Sequence, residues 1–149
     1  MKHLTLQIDS NEELQDIIGR TSGYFLVHQF MPQQALHWEN ADIKINGLTL
    51  HNAAVRSLQF DLKTDLAGVL EIIKLNTLNL SIYQFDKPVP DTLVIEYLPE
   101  QAREAILKQN GLQHIFYCDF EFLKINSFDE AFLNTINNHP VYSERIITK

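Results

Sequence analysis

The chain opens on a period-2 alternation. Leu4, Leu6 and Ile8 are separated by Thr5 and Gln7, and successive side chains on a strand point to opposite faces, so a half-buried strand is expected. The period then changes. Leu14, Ile17 and Ile18 recur at helical spacing behind Ser10-Asn11-Glu12-Glu13, a capping box in which the Ser10 hydroxyl and the Glu13 carboxylate satisfy reciprocal backbone donors. Gly19 is the expected stop. Residues 24–30 predict a second strand, nearly all apolar at its start and so central in its sheet. Pro32 ends it, since proline has no N–H to give a ladder.

The middle of the chain is β-patterned. Ile43 and Ile45, then Asn46-Gly47, then Leu48 and Leu50 predict a hairpin, because Asn-Gly suits the positive φ that both central positions of a type I′ turn need. Residues 55–63 set Leu58, Phe60 and Leu62 on one face and Gln59, Asp61 and Lys63 on the other. Residues 66–75 fit two templates. Leu66, Val69, Leu70 and Ile73 match a helix, whereas 69–75 also match a buried strand. Strand is preferred, because Leu78, Leu80, Ile82 and Phe85 follow the Asn76-Thr77 break as a hairpin partner would. Residues 87–91 are a Pro-containing loop, and 92–98, rich in β-branched and aromatic residues, predict another strand.

Pro99 then stands where a first helical turn tolerates it. Ala102, Ala105, Ile106 and Leu107 carry the apolar face, and Asn110-Gly111 closes the helix. Residues 114–122 predict one strand, with Ile115, Tyr117, Asp119 and Glu121 opposite Phe116, Cys118, Phe120 and Phe122. A second capping box, Ser127 to Glu130, opens a helix carrying Phe128, Phe132, Leu133 and Ile136 and ending before Pro140. Residues 141–148 predict a terminal strand. The expected fold is α+β: one domain over residues 1–149, a largely antiparallel sheet with about three helices packed on one side.

Composition narrows the class. At 149 residues with 45% hydrophobic side chains, the chain can bury a core without staples. Its single cysteine, Cys118, excludes an intramolecular disulfide. The longest apolar runs, 24–27 and 115–118, are four residues, far below the roughly 20 of a membrane span. The alternating N-terminus does not resemble a secretory signal. A cytoplasmic protein that engages no membrane is expected. Twelve basic and 19 acidic residues give −7, spread over the thirds of the chain as −3 (3 against 6), −3 (4 against 7) and −1 (5 against 6). Such a surface repels phosphate backbones and argues against nucleic acid. It suits a basic protein partner.

Catalytic and cofactor signatures do not emerge. The six histidines include no pair at metal-ligand spacing, and His114 and Cys118 on one strand would lie about 13 Å apart at about 3.3 Å per residue. Cys118 shares a face with three phenylalanines, which marks a small buried hydrophobe and not a nucleophile. No P-loop, G-x-G-x-x-G or G-x-S-x-G occurs. No catalytic, cofactor or metal residue is therefore nominated. Two acidic-aromatic groups stand out as partner-binding candidates: Trp38 with Glu39 and Asp42, and Tyr117 with Asp119 and Glu121.

The leading expectation is a small acidic module that captures or neutralises a protein partner, in the manner of bacterial immunity or antitoxin proteins that inhibit a toxin. The alternative is an enzyme or small-molecule binder whose site is assembled from residues remote in sequence, such as His28, His37 and nearby carboxylates; a pocket with convergent polar groups would favour it. A structural or assembly subunit with an open sheet edge is the third reading.

Overall fold

The computed structural model describes residues 1–29, 43–45, 48–50, 60–75, 80–119 and 121–148. Its centre is a seven-stranded sheet, antiparallel throughout, built from β1 (Lys2–Gln7), β2 (Tyr24–Gln29), β5 (Phe60–Thr64), β6 (Leu80–Phe85), β7 (Leu112–Cys118), β8 (Phe122–Ser127) and β9 (Ile146–Thr148). The strand order is β5-β2-β6-β7-β8-β1-β9. A separate hairpin joins β3 (Ile43–Ile45) to β4 (Leu48–Leu50), with Ile45 opposite Leu48, as the pattern around Asn46-Gly47 predicts. The expected α+β class holds, and β2 is flanked on both sides as its apolar start implied.

Alternation along the strands builds two cores. Leu4 and Leu6, Phe25 and Val27, Ile82, Phe116, and Leu123 and Ile125 face α1 (Asn11–Ile18), α2 (Leu66–Leu75) and α4 (Glu130–Asn137), which contribute Ile17, Ile18, Val69, Ile73, Phe132 and Ile136. The alternate residues Leu26, Tyr83 and Ile115 face a thinner layer made by Leu93, Ile95 and Leu107. That layer comprises a 3-10 turn at Ile95–Tyr97 and the helix α3 (Arg103–Gln109), preceded by a 3-10 turn at Glu100–Ala102. Helices therefore lie on both faces, three on one and α3 on the other. It is the second, thinner layer that positions the candidate site.

Several expected elements change type. Residues 66–75 are helical, because Asp65 Oδ1 accepts the Gly68 N–H at 2.9 Å and caps the first turn. β6 pairs with β2 and β7 instead of with that segment. Residues 92–98 form no strand: Leu93, Tyr97 and Leu98 donate to Pro90, Val94 and Ile95 carbonyls at 3.1 Å, and Asp61 takes the Ile95 N–H. Their apolar side chains serve as a lid on the sheet, not as a ladder within it. The expected strand over 114–122 is a hairpin, β7 returning as β8 with Cys118 opposite Leu123. The second helix cap is Asp129, whose Oδ1 accepts from Ala131 at 3.0 Å and Phe132 at 3.3 Å; Ser127 instead accepts the Asp129 N–H at 2.9 Å. At the C-terminus a 3-10 turn, Tyr142–Arg145, precedes the short β9. Pro32, Asn46-Gly47, residues 55–59, Asn76-Thr77, Leu78 and Phe120, on which some of these expectations fall, lie outside the described residues.

Candidate functional site

The register of the sheet assembles a line of polar side chains that no stretch of sequence contains. Asp61 on β5 stands opposite His28 on β2, His28 opposite Ser81 on β6, Ser81 opposite Tyr117 on β7, and Tyr117 opposite Lys124 on β8. Directly opposed residues share a sheet face and stand about 5 Å apart. The row therefore crosses five strands on the face that α3 partly covers.

One end of the row is rigid. His28 Nδ1 lies 2.6 Å from Asp61 Oδ1, and Asp61 Oδ2 accepts the Ile95 N–H at 2.7 Å. The neighbouring Lys63 donates from Nζ to Asp91 O at 2.8 Å. These bonds fasten the 91–98 segment over β5. His28 Nδ1 therefore faces the Asp61 carboxylate, and Nε2 is the ring nitrogen turned away from it. Both side chains are almost buried, 11% exposed for His28 and 9% for Asp61, which fixes the ring orientation.

Between the sheet and α3 lies a cleft of about 440 Å³, lined by His28, Ser81, Tyr83, Ile95, Arg103, Leu107, Ile115, Tyr117 and Asn126, and also by Glu100, Glu104 and Met1. That volume falls within the roughly 300–1,000 Å³ of small-molecule sites. Burial raises the Tyr83 hydroxyl well above its ordinary pKa, while a side-chain hydrogen bond with Ser81 and the Arg103 charge pull the other way. Tyr117 is raised as well, by burial, against the opposing Arg103 charge. Both tyrosines stay neutral donors near neutral pH, with a guanidinium beside them.

The cleft also holds unsatisfied groups. Among the described residues three buried side-chain polar atoms lack a hydrogen-bond partner: Gln84 Oε1, Arg103 Nε and Asn126 Oδ1. Two of these three belong to residues lining this one cleft. An orphaned buried polar group costs about 1–3 kcal/mol.

The sequence candidates are divided by the fold. Tyr117 is a half-buried member of the row. Asp119 and Glu121 do not join it: they are exposed where β7 turns into β8, with Asp119 N–H donating to Phe122 O at 3.0 Å and Ile8 N–H to Glu121 O at 2.9 Å. The strand expected to carry all three on one face reverses before reaching the acids. Trp38, Glu39, Asp42 and His37 lie outside the described residues. His28 and the Asp61 carboxylate do meet. Asp61, expected on the polar face of its strand with Gln59 and Lys63, lies under Ile95. Ser81, Tyr83, Arg103 and Asn126 were missed; the one signal was polar residues inside the apolar 80–85 run. Cys118, by contrast, is 2% exposed, and burial pushes its thiol up to about 12.

Fold and cleft together define an α+β sheet domain with a polar, partly roofed cavity on one sheet face. Comparison with protein-family models, curated proteins and solved structures gives no match. Among the described residues no helix is long and apolar enough to cross a membrane.

Proposed function

We propose that this chain binds a small organic ligand in the cleft between α3 and the sheet. The observation that carries the reading is the cavity of about 440 Å³ beneath α3, lined by His28, Ser81 and Tyr117 of the polar row together with Tyr83, Arg103 and Asn126. Ile95, Leu107 and Ile115 offer apolar contact. The Asp61-oriented His28, the Ser81 hydroxyl and the two tyrosines offer directional bonds, the mixture expected of a specific small-molecule site. The test is protein-observed NMR with a library of small polar fragments. Binding should perturb amides of His28, Ser81, Arg103 and Tyr117 together; hits that consistently map elsewhere would remove the reading.

A second reading is capture of a basic protein partner, as an immunity or antitoxin-like inhibitor does. It is supported by the −7 charge and by the exposed Asp119 and Glu121 beside Phe122, which is 39% exposed. Affinity capture from the native lysate, washed at low and high salt, discriminates the two. A stoichiometric basic partner released by salt and lost in an Asp119→Asn/Glu121→Gln double variant supports capture. Capture unaffected by that variant argues against the hairpin tip as the contact.

A further inference from the structure

Deepening the ligand-binding reading, and resting on it, we propose that the ligand is a small monocarboxylic acid. Arg103 holds its carboxylate, and its compact apolar body, bearing one hydrogen-bond donor, lies against the sheet.

Arg103 carries the argument. Each of the other arginines among the described residues is engaged by acids, Arg20 by Asp16 and Arg145 by Asp9 and Glu13. Arg103 makes no ion pair there, although Glu104 follows it directly and Glu100 precedes it by three positions. Its one protein bond is long, from Nη2 to Leu98 O at 3.4 Å, and its Nε is buried and unpaired. A guanidinium has five N–H donors in a fork that matches the two oxygens of a carboxylate. Nη2 is committed only to Leu98 O and Nε is closed off by burial, so the terminal edge of the fork is the part a carboxylate can meet.

The charge count selects the anion. Arg103 is the one arginine or lysine lining the cleft, and the Met1 amine that also borders it is paired with Glu104. Lys124 stands farther along the row, its Nζ 5.9 Å from the Tyr117 ring centre. A single guanidinium balances a monoanion, whereas a phosphate dianion would leave uncompensated charge against an apolar wall. The acids of the lining do not cancel Arg103: Glu104 Oε1 is 3.3 Å from the Met1 amine, and Glu100 is exposed. The remaining lining fits the rest of such a molecule. Ile95, Leu107 and Ile115 make the apolar wall, and Asn126, whose Oδ1 has no partner among the described residues, stands across from it as an acceptor for one donor.

The experiment uses matched trios of acid, primary amide and amine built on the same bodies: 3-phenylpropyl, 3-(4-hydroxyphenyl)propyl and hexyl. Affinities are read by NMR titration of the full chain, with inorganic phosphate as a separate ligand. The acid should bind at least tenfold tighter than its amide and amine in at least one trio, and the hydroxylated acid tighter than the plain one. Arg103→Gln should collapse the acid preference to within twofold, and Arg103→Lys should keep part of it, both with unchanged amide dispersion elsewhere. Amides or amines that bind as well as acids, an acid preference surviving Arg103→Gln, or tighter binding of phosphate would each overturn the ligand class. The cleft reading survives those outcomes if the cleft amides still move. If no compound and no fragment moves them, both readings fall.

Discussion

At the scale of single residues, the protein contains buried polar groups with opposite meanings. His114 is 6% exposed, tilted against Phe132 with ring centres 4.4 Å apart, and its Nδ1 lies 2.7 Å from Ser127 Oγ. It is satisfied and structural. Burial lowers its pKa to about 4, only weakly opposed by Asp129. The unfolded chain therefore takes up this proton first as pH falls, so stability is complete above about 6.5 and lost toward 4. Between pH 7 and 5 the loss should be about 2 kcal/mol. Glu13 and Asp16, both held below the ordinary carboxylate range, Asp16 chiefly by the Tyr142 hydroxyl and Glu13 by Arg145 against its own desolvation, stay ionised in that window. Urea unfolding of the protein and of His114→Leu at both pH values checks this: the variant, although weaker at pH 7, should lack the pH-dependent component. Asn126 is the opposite case, an unsatisfied amide in a cleft. Asn126→Leu should raise stability by about 1 kcal/mol, because it removes an orphaned acceptor, while weakening ligand binding. Such a divergence marks a group kept for function. Loss of both stability and binding would mark Asn126 as ordinary architecture.

At the scale of elements, what was legible in the sequence is what the local chain decides by itself. β1, α1, β2, the β3–β4 hairpin and α4 announce themselves by period and punctuation, and the Ser10 cap is present, with Glu13 N–H donating to Ser10 Oγ at 3.3 Å. Elements decided by their neighbours were misread. The alternation of residues 114–122 runs straight through the point where β7 gives way to β8, and residues 119–121 include no glycine, proline or asparagine, so periodicity could not mark the reversal. Residues 92–98 have strand composition but lose their backbone donors to local carbonyls and to Asp61. The site was hidden for a related reason. β6 is buried on both faces, so Ser81 and Tyr83 break no alternation, and their meeting with His28 and Tyr117 is a property of register, which one strand does not encode. Capping energetics can be tested here. Asp129→Ala should cost about 1 kcal/mol, whereas Ser127→Ala should also disturb His114, since its hydroxyl joins that ring to the α4 cap. Gly23 sets the entry to β2 at φ +109, where an added Cβ would meet Phe85 O at 2.4 Å. Gly23→Ala should therefore cost about 2 kcal/mol or more in the same urea assay.

At the scale of the whole molecule, the sheet is closed by its own first strand. β1 is inserted between β8 and β9, Lys2 opposite Ser127 and Leu6 opposite both Leu123 and Ile146. β9 pairs with no other strand of the seven. Leu4 and Leu6 are 3% and 0% exposed in the larger core, and burying a leucine contributes about 1.5–3 kcal/mol. Deleting residues 1–7 would remove both leucines, strip β9 of its only ladder and leave β8 an open edge. Set against a total stability of about 5–15 kcal/mol for a domain, the loss should unfold the chain. The cleft would go with it, because the sheet that aligns Asp61, His28, Ser81 and Tyr117 is continuous with β8 and β1. A chain that merely collapses without β1 can be told from one that needs this strand by adding it back. A synthetic peptide of residues 1–9 mixed with the 8–149 fragment should restore native amide dispersion stoichiometrically, and a peptide with Leu4→Asp and Leu6→Asp should not. If the 8–149 fragment folds alone with the same cleft resonances, β1 is an accessory, and the sheet from β5 to β8 must be sufficient by itself to hold the site.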